Sequence, residues 1–399
     1  MTYILEIILL SYFGYVSLYS FIFSTAGLFY RPVKTGNARI FRRFAVLIPA
    51  YKEDQVITAV AEQALLQDYP SDRFDVIVIA DSLQGTTLQK LRSLPIIVVE
   101  VSFEKSTKVK ALNRAMATIG DSYDCAMILD ADNVMEEQCL RKINKLFEVG
   151  YRAVQARRDA KNQNTEVAVL DGLSEAINNF IYRRGNIALG LSCPLIGSGM
   201  AFDYSVLKPT LLSMDSVGGF DRELELRLLS QGIHTHFAQD IVVFDEKVAN
   251  QQVFEHQRRR WMSSHLHYLR EYFREGWRQL FRGNFSYFNS AVLRNIQLPR
   301  LLNLGLLVLV VGVSLLLSRY LTLSPWVWIA LLGLNALAIL FAIPKRFYNI
   351  RSLKSIALIP KLFGKMFLLL FRLKNANKTF LHTPHSSVEM IENESTRSA

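Results

Sequence analysis

The chain has 399 residues, half of them hydrophobic, and carries 46 Lys and Arg against 35 Asp and Glu for a formal net charge of +11. Its positive mean hydropathy of +0.17 favours one sizeable domain joined to membrane segments over two ordinary domains. The basic excess tracks apolar flanks, as in "RPVKTGNARIFRRF" and "IPKRFYNIRSLK", which argues against a nucleic-acid partner.

Residues 3–30 form an apolar run with Glu6 as its lone charge. It exceeds the roughly 20 residues that cross a bilayer, and no basic residue precedes it, so a retained anchor is expected rather than a cleaved signal. Arg31, Lys34, Arg39, Arg42 and Arg43 follow at once, placing the middle of the chain in the cytoplasm.

From Phe44 to about Phe244, β-rich runs alternate with amphipathic helical patterns. "FAVLIPA", "DVIVIAD", "PIIVVEV", "CAMILDAD" and "AVQAR" read as strands, and "ITAVAEQALLQDY", "KVKALNRAMATI" and "EEQCLRKINKLFEV" as helices. That order predicts an α/β fold with a mostly parallel sheet covered on both faces. Ligands of such sheets bind beyond the carboxyl ends of the strands. Glu53 and Asp81 stand at two such ends, suited to accept hydrogen bonds from a base and a ribose, or else to act as ordinary caps.

The fourth strand runs into "ILDADN". In extended backbone residues two apart face the same way, so Asp130 and Asp132 are expected to point into one site. Two hard carboxylates suit Mg²⁺ or Mn²⁺ completed by substrate phosphate. Gly197 and Gly199 in "GSGM" allow close backbone approach to a ligand, and "GGFDRELELRL" starts a helix with Asp221, Glu223 and Glu225 in its first turn. Glu223 shares a face with Arg227 and can pair with it, leaving Asp221 freer for chemistry, though both remain candidate bases.

In "VFEHQRRRWMSSHLHYLREYF", Gln257, Arg260 and Trp261 share one helical face. Arginine binds phosphate oxygens and tryptophan offers a flat surface to a sugar. The arginines and tryptophan further along, Arg270, Arg274, Trp277 and Arg278, read as an interfacial face. Leu301 to Ser318 and Trp326 to Ile343 then predict a membrane hairpin. "SIALIPKLFGKMFLLLFRLK" holds Pro360, Lys361, Gly364 and Lys365 and reads as interfacial. The polar tail is expected to be unstructured. The cysteines, Cys125, Cys139 and Cys193, have no paired spacing and are expected to pack as small buried side chains.

The ordered set "PAYKE", "IAD", "STKVKALN", "LDAD", "GSGMAF", "GGFDRELELRL" and "QRRRW" resembles the membrane-embedded family-2 inverting glycosyltransferases, the group of cellulose, hyaluronan and chitin synthases, over roughly Phe44 to Tyr268. The resemblance implies a GT-A-like, Rossmann-type catalytic domain with N- and C-terminal transmembrane helices. It also implies that Glu53 and Asp81 hold uridine, that Lys108 lies near the diphosphate, that Asp130 and Asp132 form the nucleotide-diphosphate and metal site with Mg²⁺ or Mn²⁺, and that Asp221 is the base. Gln257, Arg260 and Trp261 would border diphosphate and acceptor. Implied partners are a UDP-sugar, a polysaccharide or lipid-linked acceptor and membrane lipid, with a second copy of the chain or an export protein as further candidates.

Departures from the pattern are Phe220 where Glu is usual before the base, the small number of crossings, and "FLHTPH", which resembles the gating segment of cellulose synthase with His385 in place of Lys. The expected organisation is an anchor (1–31), a cytoplasmic catalytic domain (44–252), amphipathic helices (253–298), a transmembrane hairpin (299–344), an interfacial or further membrane segment with the gating-like stretch (345–387) and a tail (388–399).

Overall fold

A computed structural model describes residues 2–36, 38–216, 218–248 and 251–371 of the chain. The "FLHTPH" segment and the tail lie outside them. Two compact units result: one contains residues 2–31, 165–191 and 251–371, the other Pro32–Asn164 and Ser192–Val248. The stretch Thr165–Leu191 thus belongs with the apolar helices rather than with the sheet.

The second unit is built on an eight-stranded sheet in the order β3-β2-β1-β4-β7-β6-β8-β5. Its strands are β1 (Phe44–Tyr51), β2 (Phe74–Asp81), β3 (Ile97–Val101), β4 (Cys125–Ile128), β5 (Val134–Met135), β6 (Ala153–Ala160), β7 (Met200–Asp203) and β8 (His236–Asp245). The half from β3 to β4 is parallel throughout, as expected. Beyond it the sheet is mixed, because β7 enters antiparallel to both β4 and β6. β6 and β8 pair in parallel and β5 runs antiparallel to β8.

Strand alternation sends the side chains of β1 to two cores. Phe44, Val46, Ile48 and Ala50 pack with Val60 of the helix Ile57–Ala64 and Ile143 of the helix Cys139–Glu148. Ala45 and Leu47 face Leu112 of the helix Lys108–Ile119 and Leu224 of the helix Phe220–Ser230. Each large side chain so buried contributes about 1.5–3 kcal/mol. The helix Lys108–Ile119 begins where Thr107 accepts a hydrogen bond from the Lys110 N–H at 3.2 Å. Cys125, Cys139 and Cys193 are buried free thiols, and burial raises the pKa of the first two.

In the first unit, Thr2–Leu28 and Pro325–Ala342 are long and apolar enough to cross a membrane. The helix Arg300–Leu316 has 17 residues and meets that test only together with Phe285–Ile296, across a bend of 52°. Glu6, 5% exposed, accepts hydrogen bonds from the Thr322 and Leu323 N–H groups at 3.0 and 2.6 Å. Its charge therefore anchors the link before Pro325–Ala342. Gly185 lies so close to the Thr2–Leu28 helix that a Cβ there would overlap the Phe23 carbonyl oxygen.

Candidate active site

Paired strands bring Glu53 and Asp81 to one edge. Tyr51 is the register partner of Asp81, and the Lys52 N–H donates to the Asp81 carbonyl at 3.1 Å. Lys52 and Ser82, directly after these strands, have φ of 56° and 58°, a region that side chains other than glycine rarely adopt. Such strain concentrates at functional sites, and sequence reasoning missed it because neither residue is a glycine or asparagine. Glu53 and Asp81 are 7% and 3% exposed.

The aspartates of "LDAD" lie beyond the end of the strand, so strand alternation does not decide where they point. Strand β4 ends at Ile128, its partner in β7 being Met200, and the chain then turns, with the Asn133 N–H donating to the Asp130 carbonyl at 3.0 Å. Without strand geometry, no alternation aligns the two side chains. Asp132 is 4% exposed, and its carboxylate accepts from Asn133 Nδ2 at 2.9 Å and from the Glu246 N–H at 3.0 Å. Asp130 keeps 41% of its side chain exposed and pairs with the Lys108 ammonium.

Lys108 also donates to the Gly197 carbonyl at 2.8 Å, joining the start of one helix to the glycine loop. That loop is held by Gln155, fully buried, whose Nε2 donates to the carbonyls of Ser198 and Gly199 at 2.9 and 3.1 Å while Oε1 accepts from the Ile196 N–H at 3.1 Å. Ser198 Oγ in turn accepts from the Asp130 N–H at 2.9 Å and donates to Asn133 Oδ1. Gly197 and Gly199 have φ of 84° and 64°, the left-handed region that glycine enters without steric cost.

Asp221 completes the cluster. A Cβ at Gly197 would stand 3.9 Å from Asp221 Oδ2, and the Lys108 ammonium lies 5.1 Å from the centre of the Phe220 ring. Burial raises the Asp221 pKa, against the opposing pull of Arg222 and Lys108, and Glu225 adds to the rise. Glu223 is taken by Arg227, at 2.7 Å from Nε and 2.6 Å from Nη2, as their shared face predicted. Glu225 accepts from the Leu195 N–H at 3.2 Å.

Residues absent from the sequence reading surround the aspartates. Lys161, 5% exposed, donates from Nζ to the Asp132 carbonyl at 3.1 Å. Burial lowers its pKa, while Asp132, Glu246 and Asp245 oppose that. With Gln155, Ser198 and Asn133 it forms the frame of the site; no spacing signal marks these side chains, since each reaches a partner remote in sequence.

Gln257, Arg260 and Trp261 lie on the long helix Gln251–Phe281 of the first unit. There Arg258 pairs with Asp171 and stands 4.5 Å over the Trp261 ring, so the tryptophan, 39% exposed, is stacked by a neighbouring arginine of the same run.

The sequence pattern of the family described as "Glycosyltransferase like family 2" matches residues 42–264. The chain belongs to this family. The chain is 22% identical over 261 residues to "Probable glycosyltransferase YdaM" of Bacillus subtilis (strain 168), an alignment spanning 60% of each protein. Its structure superposes on the mannosyltransferase PcManGT from Pyrobaculum calidifontis, solved in complex with GDP-Man and Mn²⁺, with a TM-score of 0.57 and 17% identity over 93% of this chain and 97% of the other. The fold of this chain is accordingly GT-A-like α/β.

A divalent ion suits the donor set here: two aspartates on one turn, Asp130 open to solvent and Asp132 oriented by hydrogen bonds. Among the described residues no three His, Cys, Asp or Glu side chains converge, so the remaining ligands would come from water and substrate phosphate, the usual pattern for Mg²⁺.

Proposed function

We propose that this glycosyltransferase is an inverting enzyme of the cytoplasmic membrane that transfers a sugar from a UDP-sugar, UDP-N-acetylglucosamine or UDP-glucose, to a growing polysaccharide in β linkage. The observation that carries the reading is that Lys108 bonds the Gly197 carbonyl and pairs with Asp130 while Asp221 lies against Gly197. A proton acceptor and the groups for an anionic leaving group thereby occupy one end of the sheet.

Glu53 and Asp81 accept hydrogen bonds from the uracil and ribose. Lys108 lies beside the diphosphate, where its ammonium offsets negative charge that grows as the glycosidic bond to phosphate breaks. Asp221 takes the proton of the acceptor hydroxyl while that oxygen attacks the anomeric carbon from the face opposite the leaving diphosphate, converting an α-linked donor to a β-linked product. Asp130 and Asp132 would hold Mg²⁺ or Mn²⁺, which when bound supplies positive charge to the diphosphate. Gln257, Arg260 and Trp261 serve the diphosphate and acceptor. The basic residues after the first apolar helix put the catalytic domain on the cytoplasmic side.

A second reading, transfer of one sugar to a lipid or lipid-linked acceptor, is favoured by the two helices, or three if the bent pair is one span, that are long and apolar enough to cross a membrane among the described residues, few for a secretion channel in one copy. The test is purified, detergent-solubilised full chain with Mg²⁺ or Mn²⁺, offered UDP-sugars and GDP-mannose in turn, with nucleoside diphosphate release and product mass recorded. A ladder of repeating sugars supports the first reading. Release only with a lipid acceptor, adding one sugar, selects the second, and release from GDP-mannose alone overturns the UDP assignment.

A further inference from the structure

The apolar unit contains a polar cluster that the transfer reaction does not use. It gathers where the helix Phe285–Ile296 breaks before Arg300–Leu316. The backbone of the break is satisfied by side chains: Tyr12 Oη accepts from the Leu298 N–H at 3.0 Å, and Asn303 Nδ2 donates to the Leu298 carbonyl at 2.7 Å. The arginines beside the break are therefore not needed to pair its peptide groups.

Arg300 reaches the helix Glu166–Asn178, whose buried carboxylates are engaged by other arginines. Asp171 pairs with Arg258, and Glu175 pairs with Arg183 at 2.9 Å. Ser174, on the same face between them, receives Arg300, whose Nη2 donates to its carbonyl and hydroxyl oxygens at 3.1 and 3.2 Å. Arg300 Nη1 is sealed from solvent and has no hydrogen-bond acceptor among the described residues. Both carboxylates have another arginine as partner, and among the described residues Arg300 makes no ion pair with either. Arg258 repels Arg300 and Glu175 attracts it; Tyr182, whose hydroxyl lies 3.4 Å from Gln297 Oε1, is within electrostatic reach of both Arg300 and Arg294.

A guanidinium whose hydrogen bonds go to neutral oxygens while one nitrogen is withdrawn from water is costly, and a buried donor left without an acceptor points to a missing water or ligand. We infer that Arg300, with Ser174 and Tyr182 beside it, forms a binding site for a phosphate-ester anion supplied from the membrane. The planar fork of arginine matches phosphate oxygens, and phosphate is the anion that a lipid interface offers at high density. A phospholipid headgroup and a lipid-monophosphate acceptor carry this same chemistry. The inference rests on the membrane reading of the apolar helices and adds a ligand to it.

The experiment is native mass spectrometry of the full chain in maltoside detergent, titrated separately with phosphatidylglycerol, a polyprenyl monophosphate, inorganic phosphate and, as a phosphate-free control, diacylglycerol. The wild type is expected to retain the phosphate lipids and not diacylglycerol, and Arg300→Gln to weaken retention roughly 10-fold or more, the worth of a charged hydrogen bond. Arg300→Lys, which keeps the charge and loses the fork, should fall between them and serves if Arg300→Gln does not fold. Tighter retention of polyprenyl monophosphate supports the site with an acceptor as its ligand; equal retention supports it with a structural lipid, and competition by inorganic phosphate supports recognition of the anion itself. Equal binding of phosphatidylglycerol and polyprenyl monophosphate by wild type and both variants, or equal retention of diacylglycerol by the wild type, overturns it. Flotation of the wild type with phosphatidylcholine vesicles reads membrane association separately, so failure of that premise is told apart from failure of the site.

Discussion

The Lys108 ammonium donates to the Gly197 carbonyl at 2.8 Å while pairing with Asp130, joining a helix start, the turn after β4 and the glycine loop through one charge. Lys108→Met is expected to raise the KM for the nucleotide-sugar roughly 10- to 100-fold, since a hydrogen bond to a charged group is worth about 1.5–3 kcal/mol. Lys108→Arg should recover part of the loss. Steady-state kinetics over donor concentration checks this, and an unchanged KM would remove Lys108 from the donor site.

Asp221 carries a pKa raised by burial, and the sign of its effect on stability follows. The folded state binds the proton more tightly than the unfolded chain, so stability falls as pH rises from the unfolded carboxylate value through the folded one. Asp221→Asn is therefore expected to raise Tm at neutral pH, a gain that vanishes in acid below the unfolded value. The same variant should lower kcat by about 10²–10⁴-fold. Thermal scans across pH beside activity assays test both halves, and wild-type transfer by the variant would show that another group is the base.

For Asp221 to accept a proton it must be ionised, and its raised pKa moves the acid limb of kcat/KM above the ordinary carboxylate range. A pH–rate profile for the wild type reads that limb directly. A limb at the value of an exposed aspartate would contradict the buried setting.

Gln155 links the glycine loop to β6 through hydrogen bonds from both ends of one buried amide. Gln155→Leu leaves three carbonyls, of Ala156, Ser198 and Gly199, and one N–H without this partner, and is expected to cost about 2–4 kcal/mol. A lower Tm for the full chain in detergent is the readout, together with lost donor affinity because Ile196, Ser198 and Gly199 lose their support. Retention of both would mean the loop is held elsewhere.

Gly185→Ala should destabilise the apolar unit by about 1–3 kcal/mol, the usual cost of overpacking, because its Cβ overlaps the Phe23 carbonyl. Gly14→Ala, where nothing lies within 4 Å of the added carbon, is the matched control. Comparing Tm for the two variants in one detergent decides whether the helices approach through Gly185.

The sequence by itself determined the local features. Alternation along "FAVLIPA" set which side chains of β1 face each core, because strand geometry converts period two into two faces. The spacing of Glu223 and Arg227 made their pairing legible, since four residues is one helical turn, and the ordered motifs brought Glu53, Asp81, Lys108, Asp130, Asp132 and Asp221 into view. What only the tertiary structure decided is which distant groups meet. "MAFD" is too short to show a period, yet as β7 it inserts antiparallel between β4 and β6. That insertion brings the glycine loop to Gln155 and Lys108, ends β4 at Ile128 and leaves "DAD" on a turn. Likewise Asp171 and Arg258, 87 residues apart, pair because Thr165–Leu191 joins the apolar helices. Periodicity records which face of an element is buried; the partner of a buried polar group is chosen by chain topology, and so was not written in any one segment.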